Sequence, residues 1–489
     1  MFGHPRGLTT LFFTEMWERF SYYGMRALLV LYLTSELMHG GFSFSRDHAL
    51  EIYGIFTSLV YLTPLLGGFI ADKILGQRKA IYIGGFLMAF GQLSLAISQF
   101  GSIEMRTFWL LWGLGLLVAG NGFFKPNISS MVGSLYAEND PREDSAFTLF
   151  YMGINVGAFF SPIVAGTLGE TYGWGWGFFS AAIGMFVGIT WFYFQSHHIQ
   201  GAGLPPKRVY DASKRWQLNL RDKLEIVGYI IVTAILVLGI IKGWSSISES
   251  IKSNLIWTLA IIGTVSLVFI ITKNTKGKAE WSKVFVIIVL CIFSIFFFAG
   301  FEQAGGTLNL FAEHNTNRST FLGTIPASLF QAINPVFIVG FSFVFTILWS
   351  WLSSRKKEPN IPVKFGLGML FLGLGFWVMS IANSHSANGN LVSPMWLVMV
   401  YLLHTFGELC LSPIGLSMIS RLAPTKIVSV MMGVWFASSA LAQYLAGALE
   451  SILHTYLPTM ELYNFITLTS MITAGVILLM SPFLNKMIK

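Results

Sequence analysis

Fourteen apolar stretches punctuate the chain, at about 11–36, 50–72, 80–99, 107–133, 146–168, 175–195, 224–243, 253–272, 284–311, 322–352, 364–384, 393–420, 427–450 and 462–485. Most are about 20 residues or longer, the length that roughly 30 Å of hydrocarbon demands at about 1.5 Å of rise per residue. Apolar residues follow one another within them without the strict alternation of a barrel strand, so each stretch is expected to be a helix. Only helices and closed barrels satisfy their backbone polar groups in lipid. The pattern therefore predicts an all-α polytopic membrane protein. Ahead of the first stretch, the segment from Met1 to Thr10 holds Arg6 as its sole firm charge and runs straight into the apolar run, which reads as a retained helix rather than a cleaved signal.

The polar intervals organise these helices. The longest, from Ser196 to Arg221, contains Pro205-Pro206 and a basic cluster. Six helices precede it, the pair at 224–243 and 253–272 comes next, and six more follow. The expected organisation is a six-helix bundle over 1–195, a basic linker with two inserted helices over 196–283, and a second six-helix bundle over 284–489. Two six-helix halves are a common transporter plan with the substrate site near the midplane. An even number of spans puts both termini on one side. If the N-terminus and every second loop are cytoplasmic, that side holds the clusters Lys207 to Lys223, Lys273 to Lys283 and Arg355 to Lys364, whereas the opposite loops hold Arg46, Arg106, Lys242, Lys252 and Arg318. Positive charge marks the cytoplasmic side, so both termini are expected there.

Composition agrees and narrows the function classes. Charged residues are 11% of the 489 and hydrophobic residues 54%, too few charges for a water-facing surface. The net charge of +8 follows from the loop asymmetry, so no nucleic-acid partner is called for, although contact with anionic lipid is expected. Cys291 and Cys410 both fall inside apolar runs, which argues for two buried small hydrophobes and against disulfides or a thiolate metal site. His-Glu-x-x-His, Gly-x-Ser-x-Gly and paired aspartates are missing from the sequence, which leaves an intramembrane enzyme without machinery. No metal and no cofactor is implied.

Candidate chemistry lies in charges at membrane depth. In helix one, Glu18, Arg19, Tyr22 and Arg26 stand at +3, +4, +7 and +11 from Glu15, on one helical face. An unpaired charge in the hydrocarbon costs at least about 2.5 kcal/mol, so these groups should face protein or a wet cavity and pair with one another. Glu15 and Arg19, at i,i+4, are expected partners. Lys125 lies in Gly120-Asn121-Gly-Phe-Phe-Lys125-Pro126-Asn127, Glu302 in Gly300-Phe-Glu302-Gln303-Ala-Gly-Gly306, and Glu408 in His404-Thr-Phe-Gly407-Glu408-Leu-Cys-Leu-Ser412-Pro413. Glycine and proline beside a charge suggest bent helices lining a cavity. For each of these three a purely structural pair remains the alternative. Both signs of charge in both halves suit a zwitterionic ligand and also a proton relay.

Two resemblances sharpen this. The stretch Gly68-Phe-Ile-Ala-Asp72-Lys73-Ile-Leu-Gly76-Gln-Arg78-Lys79 resembles the loop between helices two and three of the major facilitator superfamily, with Asp72 as acceptor at a helix end and glycines permitting close approach. Helix one, Glu15-x-x-Glu18-Arg19-Phe20-x-Tyr22-Tyr23-Gly24, resembles the signature of the proton-dependent oligopeptide transporter family. So do Gly122-x-Phe124-Lys125-Pro126-Asn127, Phe150-Tyr151-x-Gly153-x-Asn155-x-Gly157, Phe330-Gln331-x-x-Asn334-Pro335 and Gly407-Glu408-x-x-x-Ser412-Pro413-x-Gly415. The inserted pair looks like that of bacterial members.

The resemblance implies a major facilitator fold of fourteen spans in a bacterial inner membrane, working as a monomer, and inward symport of di- and tripeptides with protons by alternating access. It implies that Glu408 accepts the peptide ammonium and that Arg26 and Lys125 bind its carboxylate. Asn155 and Asn334 would bond the peptide backbone, and Tyr23, Tyr61 and Trp435 would line the side-chain space, each of those aromatics being alternatively a packing residue. Glu15, Glu18, Arg19 and Glu302 are the proton-coupling candidates, exchanging partners with Arg26 and Lys125. Some relatives use a histidine in helix two. Here 50–72 contains none and His48 is expected in the preceding loop, so the glutamates carry the coupling. A relative of the same fold carrying nitrate or another anion, or a drug exporter, is the competing expectation.

Overall fold

A computed structural model of the chain describes residues 3–205, 223–231, 271–411 and 427–488 except 138, 139, 141, 200 and 322, together with isolated positions between those stretches. Most of the helix expected at 253–272, much of that at 224–243, and Ser412-Pro413-x-Gly415 lie outside the described residues. The described chain is all-helical save for one two-residue hairpin, Ser319–Thr320 with Gly323–Thr324. Ten described helices are long and apolar enough to cross a bilayer.

The first half runs α1 (Arg6–Thr34), α2 (Arg46–Leu62), α3 (Pro64–Ile70), α4 (Gln77–Ile97), α5 (Ile103–Gly133), α6 (Glu143–Ser161), α7 (Thr167–Tyr172) and α8 (Trp174–Gln195). The second runs α9 (Gly277–Phe301), α10 (Thr307–His314), α11 (Ile333–Ser354), α12 (Ile361–His385), α13 (Met395–Leu411), α14 (Val428–Tyr456) and α15 (Leu462–Ile488). Helix α1 stands outside the ten spans because Glu15, Glu18, Arg19 and Arg26 interrupt its hydropathy. Helix α2 begins four residues before the apolar run, since the Ser45 hydroxyl accepts the His48 N–H and caps it. His48 is therefore in the first turn of a helix, not in a loop.

The chain groups into two compact units. The first comprises residues 1–241 with 307–313 and 318–339, and the second the remainder. In the first unit α1 packs against α6 and α8, and α4 against α5 and α8. Small residues permit these approaches, because lipid supplies no hydrophobic drive and backbones must come close enough for dispersion to act. A Cβ at Gly157 would stand 2.2 Å from the Met16 carbonyl, and one at Gly84 would stand 2.5 Å from the Gly120 carbonyl. Gly76, at φ +72°, ends the helical turns 71–75 beside Pro205, whereas a Cβ at Gly67 would stand 2.1 Å from the Gly122 carbonyl of α5. In the second unit α12 packs against α13 and α15, and α9 against α14 and α15. Cys291 and Cys410 are buried free thiols there. Phe343, Ile347 and Trp351 of α11 are exposed, as suits a lipid-facing surface.

Replacing Gly157 by alanine should lower the thermal unfolding midpoint of detergent-solubilised protein, by overpacking on the order of 1–3 kcal/mol. Gly475→Ala, where nothing stands within 4 Å, should leave it unchanged.

Candidate functional site

The charges of α1 are taken out of water: Glu15 is 2% exposed, Glu18 0%, Arg19 4% and Arg26 9%. One guanidinium serves two carboxylates. Arg19 Nε lies 3.1 Å from Glu15 Oε1 and also donates to Glu18 Oε2. The i,i+4 pair expected from the sequence is thus present, with Glu18 added to it. Two carboxylates thus share one guanidinium, and the Lys125 ammonium also acts electrostatically on Glu15. Glu15 Oε2, Glu18 Oε1 and Arg19 Nη2 meet no hydrogen-bond partner among the described residues. Buried ions are tolerable only when their remaining hydrogen-bonding sites are filled.

Further along α1, Arg26 Nε donates to the Tyr53 hydroxyl at 2.8 Å, and its guanidinium lies 5.6 Å from the Tyr23 ring centroid. Lys125, on α5 one residue before Pro126, holds its ammonium 4.2 Å from the Tyr61 centroid. Cation–π contact of this kind helps to keep a cation in place. Two of the three expected side-chain aromatics, Tyr23 and Tyr61, are thereby partners of the two expected carboxylate-binding cations. Tyr53, 1% exposed, was not foreseen. A tyrosine inside an apolar stretch carries no charge that asks for an explanation, so no sequence signal marked it.

The remaining candidates are placed separately. Asn155 is 7% exposed on α6 and its Nδ2 donates to its own helix at the Tyr151 carbonyl, 3.0 Å away. Asn334 is half-buried in the first turn of α11. In the second unit Glu302, 6% exposed, sits where α9 gives way to a 3-10 turn, Glu302–Gly305. Gln303 pins that turn by donating to the carbonyls of Ala299 and Ala446 at 3.2 and 2.8 Å. Glu408 is half-buried on α13, and Trp435 is 7% exposed on α14. The helix break expected at Gly300-Phe-Glu302 is present, whereas α5 stays helical through Pro126.

Residues 78–464 match the model of the POT family. The chain belongs to the POT family. Over 457 residues it is 38% identical to the peptide transporter YePEPT of Yersinia enterocolitica, covering 91% of this chain and 87% of that one. It is 36% identical over 453 residues to a di-/tripeptide transporter of Lactococcus lactis, covering 90% and 88%. A crystal structure of a peptide transporter POT in complex with sulfate is similar throughout, with a TM-score of 0.85, 36% identity, and coverage of 100% of this chain and 96% of that one. This POT-family chain is accordingly a multi-pass membrane transporter.

In this POT-family chain, Tyr53→Phe removes the oxygen that accepts from Arg26. A hydrogen bond to a charged group is worth about 1.5–3 kcal/mol, so the variant should unfold at a lower temperature than the parent in detergent, as read by a thermal melt.

Proposed function

We propose that the protein is a proton-coupled symporter that imports di- and tripeptides by alternating access, as a monomer with fourteen spans in a bacterial inner membrane and both termini in the cytoplasm. It needs protons and no other cofactor. A short peptide presents an ammonium, a carboxylate and a backbone that are common to all sequences. A site for many peptides therefore grips those parts and leaves space for the side chains. Arg26 and Lys125 take the carboxylate in charge-assisted hydrogen bonds, Glu408 takes the ammonium, and Asn155 and Asn334 meet the backbone. Tyr23, Tyr61 and Trp435 give broad apolar surfaces with polar edges.

The observation that carries this reading is the sharing of Arg19 by the buried Glu15 and Glu18. A proton bound by either carboxyl lets Arg19 change partners, so protonation and the state of the site are linked. Glu302, buried at a helix break, is assigned to the same relay. A drug exporter for cations is disfavoured by Arg26 and Lys125, and a purely anionic substrate by Glu18 and Glu408.

The test is uptake into liposomes under an inward pH gradient. Dialanine and trialanine should accumulate, tetraalanine and nitrate should not. Accumulation of nitrate instead would replace the peptide assignment. With Glu18→Gln, gradient-driven uptake should fall by at least roughly tenfold, about 1.4 kcal/mol of lost coupling, while peptide counterflow persists. Undiminished driven uptake would remove Glu18 from the relay.

A further inference from the structure

Glu170, in the last turn of α7, belongs to no motif singled out above, yet it is tied to the second half of the chain through backbone atoms. Its Oε2 accepts the Ala327 N–H at 2.7 Å and its Oε1 the Ser328 N–H at 2.8 Å. These are the first two residues of the 3-10 turn Ala327–Ala332, whose cap position is occupied by Pro326. Proline has no side chain that can accept, so the turn's leading N–H groups would otherwise go unpaired. A carboxylate from another helix takes the place of a local cap, with both oxygens engaged in charge-assisted bonds.

The same carboxylate is one side of an ion cluster. Arg318 Nη1 lies 3.6 Å from Glu170 Oε2, and Nη2 lies 2.7 Å from Glu313 Oε2. Nη1 also donates to the Ile325 carbonyl at 2.8 Å, which staples the hairpin 319–324 to the turn. Beneath the cluster Ser328 is fully buried, and a Cβ at Gly166 would come 2.2 Å from its hydroxyl. The turn runs without interruption into α11, so Asn334 is six residues beyond Ser328 on one continuous helical segment. Whatever fixes residues 327 and 328 fixes the approach of Asn334.

We propose that Glu170 is a positioning residue for peptide binding: by clamping the Ala327 and Ser328 N–H groups it holds the segment that carries Asn334 against the α6–α7 region. This rests on the transport reading. Glu170 does not touch the peptide. Its carboxylate form is required, because an amide in its place turns one of the two acceptors into a donor facing an N–H.

The test uses Ser328→Cys in a chain whose buried Cys291 and Cys410 are replaced by alanine. Labelling by a membrane-impermeant maleimide is timed from the side of the Arg318 loop, alongside dialanine uptake. With Glu170→Gln the labelling rate should rise about tenfold and the KM for dialanine should rise about tenfold, with the maximal rate within about twofold, the scale of one lost charge-assisted bond. Arg318→Gln leaves both N–H bonds in place and should raise labelling by a smaller factor, which keeps the question decidable if Glu170→Gln fails to fold. An unchanged labelling rate in the folded variants, or a lower maximal rate at constant KM, would overturn the assignment. If the parent chain moves no dialanine, the transport reading falls, and the labelling comparison still decides the clamp.

Discussion

Burying two carboxylates beside a single guanidinium is the constraint around which the first unit is arranged. Desolvating an ion costs several kcal/mol even after relaxation, and α1 carries Glu15, Glu18, Arg19 and Arg26 at 9% exposure or less. The helix must therefore be wrapped by protein, and it is: α6 and α8 close around it. Gly157 lets one of them come within reach of the Met16 backbone. Packing and ionisation are thus linked on the same helix. Its small-residue contacts keep the Glu15–Glu18–Arg19 group buried.

Arg26 and Lys125 meet the same constraint differently. Both have aromatic partners among their contacts. Arg26 has a phenol hydroxyl and a ring, and Lys125 has a ring face. Aromatic partners steady a cation without neutralising it.

Much of this was legible in the sequence because membranes penalise charge so heavily that position alone is informative. The stripe on α1 and the break at Glu302 announced themselves, the first by spacing and the second by Gly300, Gly305 and Gly306. Loops and helix starts were less legible. His48 was assigned to a loop because the apolar pattern begins later than the helix, whose start is set by the Ser45 cap rather than by hydropathy. The own-helix bond of Asn155 and the Tyr53 bond to Arg26 depend on rotamers and neighbours that no spacing encodes. Glu170 was invisible for a further reason: it stands at the end of an apolar run, where an acidic residue is ordinary, and its partners are backbone N–H groups that every residue but proline possesses.

In the proposed mechanism Glu15 and Glu18, sharing Arg19, hold the coupling proton. Infrared difference spectroscopy of the purified protein across a pH titration reads protonated carboxyl groups directly. The account predicts a protonated-carboxyl band that shifts when dialanine is added and is lost when Glu15 and Glu18 are both replaced by glutamine. A band that persists unchanged in that double variant, with the same response to dialanine, would contradict it.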